Sequence, residues 1–302
     1  MSEPIPITQQ QMAGLLPKRP RDSHKGLFGT VAVIGGGTGM IGAALLAARA
    51  ALKLGAGCVH VHLLAEHAPE VDFVQPELMV HSASDLLRPP PLPQAGEGAN
   101  VRSMLDSDVL VLGCGMAHDM TAHKLLHDAL HGDAALVLDA GALNLLAERP
   151  DLCTLLHART AATVLTPHPG EAARLLSCST AEVQADRVAA VLQLAELTHS
   201  SVVLKGADSL CVTRAGRLYV NGTGNPGMSS AGMGDVLAGM IAAFIAQGMT
   251  ADDALLLGVH LHGAAGDALA AQHAAIGMTA TEVIGAARRL LNQWRAQAQQ
   301  NQ

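Results

Sequence analysis

The stretch from Asn221 to Gly239, N-G-T-G-N-P-G-M-S-S-A-G-M-G-D-V-L-A-G, sets five glycines ahead of a single carboxylate, Asp235. An apolar, alanine-rich run follows, Val236 to Ala246, and predicts a buried helix. Glycine lets the backbone take positive φ and come close to a ligand. A helix start offers unpaired N–H groups and a partial positive charge, which suit a phosphate or a developing oxyanion. A carboxylate beside such an anion is costly unless it acts. Asp235 therefore reads as a base or proton carrier next to an anion hole made by Ala231, Gly232, Met233 and Gly234. The plainer alternative is a flexible glycine loop whose Asp merely favours a helix N-terminus.

Further candidates sit where predicted strands end. Gly35 to Gly42, G-G-G-T-G-M-I-G, follows the β-branched run Thr30–Ile34 and opens a helix from about Met40 to Leu54. Gly37, Gly39 and Gly42 satisfy G-x-G-x-x-G, and Glu66 stands near the place of a ribose-binding acid. A Rossmann oxidoreductase is thus a rival reading, but it leaves Asp235 and Lys205-Gly206 unexplained. A purely structural tight turn is the other alternative.

Asp139 ends the strand-like run Ala135–Asp139 and precedes G-A-L-N after Ala140. It could hold Mg²⁺ through water, orient a neighbouring base, or only cap the next helix. In Thr166-Pro167-His168-Pro169-Gly170-Glu171, two prolines fix the backbone around one histidine and can aim His168 into a cleft. Glu171 is a second candidate metal ligand, or a carboxylate favoured at a helix start. Lys205-Gly206-Ala207-Asp208-Ser209 offers a cation, backbone donors and a hydroxyl for phosphate or ribose. A surface hairpin lysine is the alternative. His60/His62 and His260/His262 lack Cys or carboxylate partners at ligand spacing and read as ordinary histidines.

Those residues need a frame. Predicted strands at Thr30–Ile34, Cys58–Leu64, Asp108–Leu112, Ala135–Asp139, Thr163–Leu165 and Ser201–Leu204 alternate with polar loops and helices. Leu210–Thr213 and Arg217–Val220 read as a hairpin around Ala215-Gly216, and Arg88–Asn100 as an irregular Pro/Gly loop. Strand, loop and helix in repetition predict an α/β fold with a mainly parallel sheet, whose ligands bind outside the strand C-termini. Residues 1–24 read as an N-terminal extension with a short helix ending near Leu16, and 25–302 as a single domain.

With 49% hydrophobic residues the 302-residue chain has ample core, but 2% aromatics leaves aliphatic and backbone surfaces to face any ring. A net charge of −7 without a basic, aromatic-laced stripe argues against nucleic acid. Five cysteines, an odd number without C-x-x-C spacing, suit a reduced, cytoplasmic setting. The N-terminus lacks a signal pattern, and no run of about 18 uninterrupted apolar residues suggests a membrane span.

Together these motifs resemble the NAD(P)H-hydrate dehydratase family, from Lys25 to Gly285. The resemblance is carried by H-K-G-L-F-G, G-G-G-T-G-M-I-G-A-A, A-L-K-L-G-A-G, P-E-L-M-V, G-C-G-M, L-D-A-G-A-L-N, L-T-P-H-P-G-E, L-K-G-A-D-S and the glycine loop through Asp235. It implies a ribokinase-like three-layer sandwich, a mainly parallel central sheet flanked by helices. It implies ADP-dependent dehydration of (6S)-NADHX or (6S)-NADPHX to NADH or NADPH, giving AMP and phosphate, with Mg²⁺. By resemblance Asp235 is the catalytic acid/base, and Ala43, Gly115, His168 and Asp235 contact the hydrated dinucleotide. Lys205, Gly206, Ala207, Asp208, Ser209 and Gly234 hold the adenine nucleotide. A homotetramer and functional pairing with a separate NAD(P)HX epimerase are further implications. Three positions depart from the family pattern: Met233 and Ser209 where Thr is common, and Gly141 where a second Asp is common.

Two rivals remain at this level. A small-molecule kinase of a vitamin precursor or sugar shares Asp235 and the anion hole. A non-catalytic nucleotide sensor on the same scaffold would be expected to lack the acid.

Overall fold

A ten-stranded sheet runs through the computed structural model, which describes residues 3–16, 19–87 and 107–300. Its strands are β1 (Ile5–Pro6), β2 (Thr30–Gly35), β3 (Cys58–Leu63), β4 (Met79–Ser82), β5 (Val109–Leu112), β6 (Ala135–Leu138), β7 (Thr163–Leu165), β8 (Ser201–Leu204), β9 (Ser209–Val212) and β10 (Leu218–Asn221). Their order is β1-β10-β9-β8-β7-β6-β5-β2-β3-β4. Every pairing is parallel except the two that β9 makes, with β8 and β10. The expected parallel sheet and terminal hairpin are both present. The Pro/Gly loop expected at Arg88–Asn100 lies outside the described residues.

Strand alternation builds two cores. Val31 and Val33 point to one face and Ala32 and Ile34 to the other, all fully buried. The first face carries α2 (Ile41–Lys53), α9 (Met233–Ala246), α10 (Ala251–His273) and α11 (Ala280–Gln300). The second carries α3 (Met120–His131), α4 (Ala140–Glu148), α5 (Pro150–Ala158), α6 (Pro169–Leu175), α7 (Thr180–Ala185) and α8 (Arg187–Thr198). The result is helix, sheet, helix in three layers. With so few aromatics, small residues bring the helices close. A Cβ on Gly239 of α9 would stand 2.0 Å from the Ala47 carbonyl oxygen of α2.

The N-terminal segment is part of this packing. Ile5–Pro6 pairs with β10, and α1 (Gln9–Gly14), capped by Thr8, buries Met12. Helix α10 is long and apolar enough to cross a membrane, yet 72% of that window is buried inside the fold. It is a core helix.

Candidate active site

Five neighbouring parallel strands deliver the site. In sheet order, β8, β7, β6, β5 and β2 end at Lys205, Thr166, Asp139, the Gly113–Gly115 turn and the Gly35–Gly37 turn. The strand order reverses between β5 and β2, where an open α/β sheet leaves a crevice. There the two turns are zipped together: Gly36 N–H donates to Cys114 O at 2.9 Å and Gly37 N–H to Gly115 O at 2.7 Å. Gly115 has φ +67°, and a Cβ on it would lie 2.6 Å from Met40 O and 3.2 Å from the Ala43 Cβ. Two of the four positions expected to touch substrate, Ala43 and Gly115, are thus side by side.

Helix α9 begins over this crevice. It starts at Met233, earlier than the apolar run suggested, so Asp235 lies within its first turn. Gly232 precedes it at φ +89° without any side-chain cap. The first turn's N–H groups, from Met233 to Asp235, therefore have no acceptor within the helix. Gly234 lies directly over the strand ends: a Cβ there would be 3.0 Å from Lys205 Nζ and 3.3 Å from Asp139 Oδ2.

Asp139 precedes α4 but makes no capping bond. Its Oδ1 accepts instead from Lys205 Nζ and Thr166 Oγ1, both at 2.8 Å. Lys205 Nζ also stands 3.9 Å from Glu171 Oε2. Burial pulls the Lys205 ammonium down, but Asp139 and Glu171 outweigh it and hold its pKa above the ordinary value. Lys205 is therefore an inward-pointing, permanently charged group, not a surface hairpin lysine. The rest of its segment, Gly206 to Asp208, is exposed, and Ser209 Oγ donates to Gly206 O at 2.9 Å.

Asp235 feels the opposite balance. Burial first, then the charge of Asp139, push its pKa up to about 6, against a hydrogen bond from Cys114 and the charge of Lys205. Cys114 Sγ and carboxylate oxygens of Asp139 and Asp235 lie within 4.8 Å of one another. Burial and these two acids keep the Cys114 thiol protonated and able to donate.

His168 is built as a helix cap. Its Nδ1 accepts from the N–H of Gly170 at 3.0 Å and of Glu171 at 3.4 Å, while Glu171 Oε2 accepts from His168 N–H at 2.8 Å. Its Nε2 is 3.2 Å from Glu171 Oε1. Burial, Lys205 and Arg174 lower its pKa. The imidazole is half exposed.

These bonds bear on the expected metal ligands. Glu171 Oε2 accepts from His168 N–H and Oε1 lies 3.2 Å from His168 Nε2, so as an expected Mg²⁺ ligand it would have its second lone pairs to offer. A carboxylate oxygen of Asp139 lies within 4.8 Å of one of Asp235 and suits a hydrated cation held through water. Gly141, which departs from the family pattern, cannot carry a side chain in this packing: its Cβ would be 2.3 Å from Met116 O.

Sequence reading missed several supports. Arg187 donates to the carbonyls of Leu204 at 3.2 Å and of Ala207, clamping the Lys205 turn. The Asn225 amide and the Gly224 N–H donate to Asp267 at 3.0 and 2.9 Å, fixing the start of the glycine loop. His260 pairs with Asn221 Oδ1 at 3.1 Å. His262 is buried near Lys205; burial first, and then that charge, lower its pKa to about 4. Arg187 lies on α8 and Asp267, His260 and His262 on α10, helices that carry no chemical motif beyond the histidine pair already named.

Comparison with known proteins gives a consistent picture. Residues 31–289 match the family model described as NAD(P)H-hydrate dehydratase. A relative from Neisseria meningitidis, an ADP-dependent (S)-NAD(P)H-hydrate dehydratase, is 40% identical over 91% of this chain and 88% of its own. A bifunctional NAD(P)H-hydrate repair enzyme from Coxiella burnetii is 41% identical over 92% of this chain. The chain spans about half the length of that relative, 53%. The crystal structure of an ADP/ATP-dependent NAD(P)H-hydrate dehydratase from Bacillus subtilis, grown with ATP and Mg²⁺, superposes with a TM-score of 0.84 at 27% identity. That match covers 97% of this chain and 100% of the other.

Proposed function

This chain belongs to the NAD(P)H-hydrate dehydratase family, and from that premise we propose that it performs ADP-dependent dehydration of (6S)-NADHX and (6S)-NADPHX. The products are NADH or NADPH, AMP and phosphate. The observation that carries the reading is Asp235: a carboxylate with a pKa of about 6 in the first turn of α9, among unpaired N–H groups.

The C6 hydroxyl of the hydrate is a poor leaving group, and phosphorylation cures that. Asp235 accepts the hydroxyl proton as the oxygen attacks the terminal phosphoryl of ADP, and AMP departs. The N–H groups of the Ala231–Gly234 segment and the helix dipole steady the charge on the transferred group. Phosphate then leaves with its C–O electron pair, pushed by the ring nitrogen, and loss of the C5 proton restores the double bond. Mg²⁺ would supply neutralisation of phosphate charge, held through water by Asp139. Lys205, bonded to Asp139 and close to Glu171, fixes the floor beneath Gly234.

Ala43, Gly115 and His168 would take the dinucleotide. The exposed Gly206–Ser209 turn and Gly234 would take the adenine nucleotide. Self-association as a tetramer is consistent with large apolar side chains left exposed, among them Phe73 at 89% and Ile276 at 98%. Five unpaired cysteines suit a cytoplasmic location. The bifunctional relatives suggest that an epimerase supplies the S form.

The test follows absorbance at 340 nm with hydrated NADH and ADP or ATP. Wild type should regenerate NADH, with ADP preferred, and Asp235→Asn should not, while still binding nucleotide. Phosphorylation of an added alcohol without recovery of NADH would instead indicate a kinase.

A further inference from the structure

Helix α2 leads from the active-site crevice to a second charged cavity. Its thirteen residues span about 20 Å. At the far end, Lys53 and Gly55 line a cavity of about 390 Å³ with Arg19, Gln247, Arg288 and Arg295. Four of the chain's 19 Lys and Arg residues converge there, against the one carboxylate Glu77. Among the described residues no ion pair engages Arg19, Lys53, Arg288 or Arg295.

Arg19 is held in place rather than loosely tethered. Its Nη2 donates to Gly55 O and to Gln247 Oε1, the latter at 2.8 Å. Its guanidinium lies 3.8 Å from the centre of the Phe28 ring. Gln247 is in turn fixed by donating to Leu54 O at 3.1 Å and Ala243 O at 2.8 Å. Gly55, at φ +110°, is the only residue type the seat allows: a Cβ would fall 2.3 Å from Arg19 Nη2. Nε and Nη1 of Arg19 remain without protein acceptors among the described residues. Burial first, and then the like charge of nearby Arg295, lower the pKa of Arg19.

We infer that this cavity is an anion site, separate from the catalytic crevice, for a ligand with two linked phosphates. Preorganised guanidinium groups favour phosphate oxygens. A single phosphate, carrying roughly −1.5 to −2, would leave the cavity positive. Four cations against Glu77 leave three positive charges, which a phosphoanhydride matches. A free pyrophosphate and a nucleoside diphosphate present the same group.

The site is tested by titrating the full-length protein calorimetrically with inorganic pyrophosphate, ADP and inorganic phosphate, comparing wild type with Arg288→Gln/Arg295→Gln. Both arginines lie on α11 and line the cavity, and neither belongs to the catalytic site described above. The double variant should lose one equivalent of pyrophosphate or ADP. Its affinity at that site should fall about tenfold for each arginine, since a charged hydrogen bond contributes roughly 1.5–3 kcal/mol. NADH recovery should be unchanged. Whichever of pyrophosphate and ADP binds the lost site more tightly identifies the source. Equal stoichiometry and affinity in the two proteins overturns the inference. So does phosphate binding as tightly as pyrophosphate, or a variant whose oligomeric state changes while its anion binding does not.

Discussion

Lys205 and Asp139 meet at 2.8 Å directly under the first turn of α9, and Gly234 is the residue that lets that turn descend onto them. Two strand ends, β8 and β6, thereby hold a salt bridge that sets the height of the helix carrying Asp235.

Removing one member of that pair should destabilise the fold. Asp139 is 2% exposed, so Lys205→Met strands a buried carboxylate and should cost about 3 kcal/mol. Asp139→Asn in the same chain should recover a large part. Urea unfolding of the two single variants and the double variant measures the coupling, and additive effects would mean that the pair contributes nothing.

Gly234→Ala should separate stability from activity. The nearest atom to the new methyl is the flexible tip of Lys205, and alanine suits a helix better than glycine by about 1 kcal/mol. Thermal stability should hold within roughly 1 kcal/mol. Displacement of the Lys205–Asp139 floor should lower kcat by about tenfold or more.

Asp235 should make activity and stability oppose each other. Its folded pKa, about 6, lies above the ordinary 3.8, so the folded chain holds this proton more firmly than the unfolded one. The resulting stability is full below pH 3.8 and is lost as pH rises through 6. Above that, the ionised group costs about 3 kcal/mol. Asp235→Asn should therefore be inactive and more stable at pH 7.5, with the difference vanishing near pH 4. In wild type, kcat/KM should fall about tenfold per pH unit below 6. Unfolding curves and pH–rate profiles read both effects.

His168 serves as a cap and, on the proposed reading, touches the hydrate. His168→Ala should lower stability by about 1 kcal/mol and raise KM for the hydrate. His168→Asn, a good cap without a ring, should restore stability but not KM. A KM unchanged in both would confine His168 to capping.

Much of this was legible in the chain. Apolar β-branched runs, each followed by a glycine or proline turn, specify a buried parallel sheet because such strands must be apolar on both faces. Asp235 was readable because an acid behind a glycine loop and before a buried helix has few inexpensive roles. Strands β1 and β4 were not readable: two and four residues long, at the sheet edges, they lack a hydrophobic run.

The sequence determined which residue types stand at each strand end, and so the kind of chemistry available. Only the tertiary structure decided their partners. Lys205 has Asp139 and Glu171 as counter-ions, Cys114 donates to Asp235, and His168 caps a helix. Local sequence fixes backbone propensity within a few residues. Ion pairing and pKa depend on charges and burial contributed by segments far apart in the chain, here 66 residues between Asp139 and Lys205, which only folding brings together.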